Sequence, residues 1–314
     1  MNKNIAILMS TYNGERYIKD QINSIINQTF KEWTLYIRDD GSNDKTVKLI
    51  KEFAKKDSRI IFLENISFNN LGPAVSFLTM LRLIDADFYF FADQDDYWDE
   101  AKIAHMLKKI DPVGDYPQLV YSNLQVVNKD LTSITSKWAM QIGKSKGKTR
   151  FFVNDVPGCT MLINKQVRQM FVKTFPDYKK IIMHDWWLVL IAQSFGKVVF
   201  LDEKLVLYRQ HGNNTVGTGE QNRNSVLKKI FNKNSRQIRK KNGQSSIFQS
   251  MEFFNMYHSD LTQEDRIFFK DVGKLLHSSF VYKVNFLNKY KIYGDLNLRN
   301  FYNKILFIEA LSLK

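Results

Sequence analysis

Within the first 110 residues, short apolar runs alternate with segments of helical period, and this alternation restricts the possible folds more than any other feature of the chain. Ile5 to Ser10, Thr34 to Arg38, Ile60 to Leu63 and Phe88 to Ala92 read as strands. Arg16 to Asn27, Lys45 to Lys55, Ala74 to Ile84 and Lys102 to Ile110 read as the helices between them. Consecutive β-α units predict a Rossmann-like α/β body with a mainly parallel sheet, helices on both faces and ligands at the carboxyl ends of the strands. Further strands are expected over Leu119 to Val127, Cys159 to Ile163, Val198 to Leu201 and Leu205 to Tyr208, with helices over Lys165 to Phe175 and Asp185 to Ser194. Trp138 to Arg150, carrying Gly, Lys and Ser, reads as a polar loop with freedom to move. After Asn213-Asn214 the texture becomes Asn/Lys-rich and helical, which places one domain over 1–215 and a helical, basic region over 216–314.

The loops after the expected strands carry the chemistry. Thr11-Tyr12-Asn13-Gly14 follows the first, Asp39-Asp40-Gly41-Ser42 the second and Asp93-Gln94-Asp95-Asp96 the fourth, so a parallel sheet would gather carboxylates at one edge. Adjacent carboxylates raise one another's pKa unless a cation or hydrogen-bond donors compensate. Hard oxygen ligands suit Mg²⁺ or Mn²⁺, and Mg²⁺ commonly takes one or two carboxylates together with substrate phosphates such as those of a nucleotide diphosphate. Two readings stay open for Asp39 and Asp40: an Asp-Gly turn capping the next helix, or a carboxylate accepting the N3–H of uracil or thymine. For Asp93, Asp95 and Asp96, a solvated capping loop competes with a metal site, and the buried aromatic run Phe88-Tyr89-Phe90-Phe91 favours the metal.

Composition bounds the rest. The 44% hydrophobic and 25% charged fractions belong to a folded protein. A lone cysteine, Cys159, excludes an intramolecular disulfide and fits a reducing compartment. The apolar stretch Ile5 to Met9 is too short for a signal peptide, and Trp186 to Ala192 falls well short of the roughly 20 residues that span a bilayer. The expected location is therefore cytoplasmic, free or on the inner face of the plasma membrane. A net charge of +14 invites a polyanionic partner, and Lys228 to Lys241 holds seven basic residues and no acidic one. That run is either a solvated helical face or, with Val226, Leu227, Ile230, Phe231 and Ile238 on one side, an interfacial helix for an anionic membrane surface. Nucleic acid is not expected as a partner, because aromatic-interleaved basic signatures are missing and the acidic clusters repel phosphate unless metal fills them. A basic protein that binds a polyanion or membrane without catalysis remains the alternative class.

The ordered motifs Ser10-Thr11-Tyr12-Asn13-Gly14, Arg38-Asp39-Asp40-Gly41-Ser42 and Phe91-Ala92-Asp93-Gln94-Asp95-Asp96-Tyr97-Trp98 resemble those of the family-2 inverting glycosyltransferases of GT-A fold. Met183-His184-Asp185-Trp186-Trp187, Leu201-Asp202-Glu203 and Tyr208-Arg209-Gln210-His211 are similar to the streptococcal rhamnosyltransferases that build rhamnose-rich wall polysaccharides. The likeness covers residues 1 to about 215 well and the remainder loosely.

The resemblance implies a nucleotide diphosphate sugar donor, dTDP-L-rhamnose or a UDP-hexose, and a glycan acceptor carried on a lipid. It implies that Thr11, Tyr12, Asn13, Asp39 and Asp40 line the nucleoside pocket, that Asp93 supports ribose and metal, and that Asp95 ligates Mg²⁺ or Mn²⁺, with His211 as a further ligand. Asp185 falls at the general-base position, where a carboxylate takes the proton of the attacking acceptor hydroxyl. The transition state is oxocarbenium-like, so the leaving diphosphate needs cations, and Arg209 and His211 are candidates. His184 stands where the family often has Glu, and is either packed or orients Asp185. Trp186 and Trp187 are either core or a stacking face for the acceptor sugar. Gly158, in Pro157-Gly158-Cys159-Thr160, admits close approach to donor or acceptor or simply opens a strand.

Overall fold

The computed structural model describes residues 4–64, 70–136, 139–211, 233–293, 304 and 306–311. These fall into two compact units, one of 1–143, 156–173 and 183–218, the other of 144–155, 174–182 and 219–314.

In the first unit, strands β1 (Ile5–Thr11), β2 (Thr34–Asp39), β3 (Ile60–Phe62) and β4 (Phe88–Asp93) alternate with helices α1 (Ile18–Ile26), α2 (Thr46–Lys56) and α3 (Gly72–Leu83). A two-residue strand β5 (Tyr97–Trp98), helix α4 (Lys102–Leu107), β6 (Gln118–Val127), β7 (Met161–Asn164), α5 (Lys165–Val172), α6 (His184–Phe195) and β8 (Lys197–Arg209) follow. One sheet results, in the order β3-β2-β1-β4-β7-β6-β8-β5. β1 pairs in parallel with β2 and β4, and β6 with β8, whereas β7 runs antiparallel between β4 and β6 and β5 runs antiparallel to β8. The sheet is thus mixed around a parallel core. Ile5 to Met9 and Tyr89 to Ala92 are almost fully buried, as expected of parallel strands covered on both faces.

Three elements differ from the sequence reading. The two strands expected over Val198 to Tyr208 are one strand, β8, whose pairing with β6 shifts register between Ser122 and Asn123 and again before Gln125. Asp202 and Lys204 are exposed there, so the polar triplet faces outward and does not break the strand. β5 is too short to leave an alternation signal. Within the segment read as a polar loop, Ala139–Gln141 and Gly147–Phe151 are single 3₁₀ turns, and Thr149, Arg150 and Phe151 are buried.

Helix ends are fixed locally. The Asn164 side chain accepts from the Val167 N–H to cap α5. Helix α6 stops at Gly196, where a Cβ would come within 1.8 Å of the Pro117 carbonyl oxygen. The parallel register sets Thr11 beside Asp39 and Ser10 beside Asp93, so the polar loops leave the sheet at one edge.

The second unit contains α7 (Lys233–Tyr257), α8 (Gln263–Lys274) and α9 (Phe280–Lys289). Thr262 and Ser279 cap α8 and α9. Phe151, Phe253, Phe268 and Phe269 form its aromatic core, with Phe151 edge-on to Phe269 at 5.0 Å. Among the described residues, no helix is long and apolar enough to cross a membrane. The expected end of the α/β body near 215 and the apolar residues Val226, Leu227, Ile230 and Phe231 lie outside the described residues.

Candidate active site

The loop after β1 is pinned on both sides. Tyr12, half exposed, exchanges two hydrogen bonds with the Gln94 amide at 2.9 Å. Asn13 takes a positive φ of 48°, donates from its backbone N–H to Ser42 Oγ, and accepts from the Asn43 N–H. Thr11 is buried, and its hydroxyl donates to Asp39 Oδ1 at 2.8 Å. Asp39 also accepts from the Gly41 and Ser42 N–H groups and from the Ser42 hydroxyl, so its carboxylate organises the turn. Asp40 is buried in an ion pair with Arg38 at 2.9 Å and accepts from the N–H groups of Leu71 and Gly72 at the start of α3. Its carboxylate therefore caps a helix, though a later one than the Asp-Gly turn reading implied.

After β4 the carboxylates meet. Asp95 Oδ2 lies 2.7 Å from His211 Nε2, and both side chains are half-buried. His211 also stacks on Tyr17 at 5.0 Å. At this separation the two side chains share a hydrogen bond, and the carboxylate is the member of the pair whose oxygens suit Mg²⁺ or Mn²⁺. Burial, then the charges of Asp95 and Asp185, push the Asp93 carboxyl up to about 7, while Lys102 opposes this. Asp96 is fully buried, accepts from the Arg209 N–H at 3.1 Å, and is held well above the usual carboxylate range by burial and by Asp95 and Asp93. Ligand atoms of Asp93, Asp96 and Cys159 lie within 4.8 Å of one another.

Asp185 sits in the first turn of α6, and its charge acts on Asp93. Its Oδ1 accepts from the Trp186 N–H at 2.5 Å. His184 is packed: its ring lies 4.2 Å from that of Phe77 and 5.3 Å from that of Phe91, and neither ring nitrogen has a hydrogen-bond partner among the described residues. Burial drives its pKa down to about 3, so the imidazole is neutral. A Cβ at Gly158 would fall 2.7 Å from His184 Nε2 and 3.4 Å from Asp185 Oδ2, so glycine lets this turn close on both side chains. Trp187 is fully buried in the core and Trp186 nearly so.

Arg209 is 2% exposed. Its guanidinium donates to the Asp95 carbonyl at 2.9 Å, to the Lys129 carbonyl and to Asp20 Oδ2 at 3.0 Å, and covers Tyr17. It clamps the backbone of the Asp95 loop, a different place from the diphosphate contact expected of it. Sequence reasoning also missed Lys102, which entered only as the start of a helix. Lys102 is fully buried, donates to the Cys159 carbonyl and lies 3.4 Å from the Trp98 ring centroid. The one available signal was a cation within about two turns of a carboxylate cluster.

A model described as glycosyl transferase family 2 matches residues 6–169. The chain is 32% identical over 224 residues to dTDP-rhamnosyl transferase RfbG of Shigella flexneri, covering 67% of this chain and 73% of that protein. It is 33% identical over 138 residues to the UDP-Glc:alpha-D-GlcNAc-diphosphoundecaprenol beta-1,3-glucosyltransferase WfgD of Escherichia coli, covering 43% of this chain and 50% of that one. Among solved structures, S. aureus TarS 1-349 in complex with UDP-GlcNAc superposes with a TM-score of 0.59 at 14% identity, covering 98% of this chain and 89% of that one. The mannosyltransferase PcManGT of Pyrobaculum calidifontis in complex with GDP-Man and Mn2+ gives 0.52 at 11% identity, covering 99% and 86%. The architecture is the GT-A fold with a C-terminal helical region. With its family-2 match spanning more than half its length and a relative of this similarity, the chain belongs to glycosyl transferase family 2.

Proposed function

We propose that the chain transfers a sugar with inversion from a nucleoside diphosphate donor, L-rhamnose from dTDP-L-rhamnose, to a lipid-linked acceptor in the synthesis of a cell-wall or capsular polysaccharide. The observation that carries this reading is the meeting of Asp95, His211, Asp93 and Asp185 at the edge where the parallel strands end. Asp185 takes the proton from an acceptor hydroxyl as that oxygen bonds to the anomeric carbon and the bond to the diphosphate breaks on the opposite face. Asp95 and His211 would hold Mg²⁺ or Mn²⁺, which would supply positive charge to neutralise the leaving diphosphate. Thr11, Tyr12, Asn13 and Asp39 face the nucleoside, Asp93 the ribose, and Gly158 keeps the acceptor side open to Asp185. Arg209 supports the diphosphate end indirectly, by fixing the Asp95 backbone.

Rhamnose is favoured because the Shigella relative, similar over two thirds of this chain, carries that activity in its name. A lipid-linked acceptor is supported by the E. coli relative, whose name specifies a diphosphoundecaprenol acceptor. That relative also motivates the second reading, a UDP-hexose donor. A lipid-linked acceptor supports a working location at the inner face of the plasma membrane. The deciding experiment is a donor panel of dTDP-rhamnose, UDP-glucose, UDP-galactose and UDP-N-acetylglucosamine, scored by nucleotide diphosphate release with Mn²⁺. Release from dTDP-rhamnose alone is expected. Turnover of a UDP-sugar with none of dTDP-rhamnose establishes the second reading in its place.

A further inference from the structure

Lys102 is a buried basic residue of the acidic region, and nothing in the proposed transfer uses it. It is 0% exposed in the first turn of α4, among residues where an unpaired lysine is costly. Three contacts hold it. The amine donates to the Cys159 carbonyl at 2.5 Å and lies 3.4 Å from the Trp98 ring centroid and 6.0 Å from that of Phe90, while burial pulls its pKa down to about 7 against the charges of Cys159, Asp96 and Asp93. Cys159 follows Gly158, where an added Cβ would run into His184 and meet Asp185. Lys102 therefore touches one segment bordering the proposed base and, through its charge, the loop bearing the proposed metal ligand. The proximity of Asp93, Asp96 and Cys159 could itself be taken for a metal site, but Lys102, whose pKa is pulled down to about 7, competes in its ammonium form with a cation there.

We infer that Lys102 is a positioning residue: a built-in counter-cation for Asp93 and Asp96 whose hydrogen bond to Cys159 holds the Gly158 turn in register with the acidic loop. The inference rests on the reading of Asp95 and His211 as metal ligands for one of its two consequences only. Removing a positive charge beside a metal site makes that site more negative, so Lys102→Met should bind Mn²⁺ more tightly, about three- to tenfold, although it transfers sugar more slowly. A side chain with a merely structural role would leave Mn²⁺ affinity unchanged or weaken it. The second consequence needs no metal. Cys159 is the chain's lone cysteine and is buried, so its labelling by N-ethylmaleimide reports opening of the Gly158 turn.

The experiment measures Mn²⁺ affinity by calorimetry, Cys159 labelling by mass spectrometry in EDTA, and steady-state kinetics for the wild type, Lys102→Met and Lys102→Gln, each checked for a native near-ultraviolet spectrum. The amide of Lys102→Gln keeps a donor but no charge, and it remains informative if the methionine variant does not fold. Lys102→Met should label about tenfold faster or more, and its turnover should fall about 10- to 100-fold with a smaller change in donor KM. Lys102→Gln should share the tighter Mn²⁺ binding and label closer to the wild-type rate. Unchanged labelling in both variants, or Mn²⁺ binding that is unchanged or weaker, overturns the proposal. A wild type that binds no Mn²⁺ removes the metal reading of Asp95, and the labelling rates then decide the tie alone.

Discussion

At the scale of single residues, the two carboxylates given the central roles make separable predictions. Asp95 is paired with His211 and its backbone is clamped by Arg209, so Asp95→Asn removes a charge and leaves the loop's scaffold in place. The variant should fold, lose detectable transfer and bind Mn²⁺ at least about tenfold more weakly by calorimetry. Full wild-type activity in excess EDTA would show that no metal is needed. Asp185→Asn should bind donor almost normally while turnover falls by roughly 10² to 10⁴, the usual worth of general-base assistance. An unchanged turnover would move the base elsewhere. His184 makes a third prediction through its protonation. Its folded pKa of about 3 lies below the ordinary 6.5, so between these values the unfolded chain binds the extra proton. This contribution to stability is present above about 6.5 and is lost as pH falls toward about 3. The melting temperature of His184→Gln, compared with the wild type at each pH, should close on it or overtake it only below that upper limit.

At the scale of elements, the turn at Gly158 and the first turn of α6 are fitted to each other. Alanine at 158 would press a methyl group onto His184, which cannot withdraw because Phe77 and Phe91 hold its ring. Gly158→Ala should lower stability by about 1–3 kcal/mol and, by displacing Asp185, cut turnover by about 10- to 100-fold. A variant that melts and turns over like the wild type would mean that the turn has room to spare. The same elements show what was legible in the sequence. Thr11, Asp39 and Asp93 could be read as neighbours because each follows an apolar run, and parallel strands bring such positions to one edge by geometry alone. Asp40 could not be assigned to α3, since its partners at Leu71 and Gly72 are some thirty residues away. Arg209 and Lys102 were illegible for a related reason. Apart from Asp20, which Arg209 also meets, their hydrogen-bond partners are backbone carbonyls distant in sequence, and a carbonyl leaves no mark on the residue type that bears it. Long-range register also explains why β5 was unforeseen: two residues pair only because β8 passes beside them.

At the scale of the whole molecule, the charge of +14 is unevenly distributed, and the basic run from Lys228 to Lys241 opens the C-terminal helical region. Its described part begins α7, where Ile238 is 61% exposed and Arg239 pairs with Glu309 at 3.4 Å. An exposed isoleucine among cations suits a surface that offers both acyl chains and negative headgroups. Each lysine or arginine near an anionic bilayer contributes about 1 kcal/mol, weakening as salt screens it, so several together give binding that is strong at low ionic strength and falls steeply as salt is added. The native protein should sediment with anionic liposomes in low salt and be released by added salt. Replacing Lys228, Lys229, Arg236, Arg239, Lys240 and Lys241 with Gln should abolish sedimentation and spare transfer to a soluble acceptor, because the proposed catalytic carboxylates belong to the other compact unit. If the substituted protein still sediments fully, or the native protein ignores anionic liposomes at low salt, the run is a solvated helical face and its charge serves solubility alone.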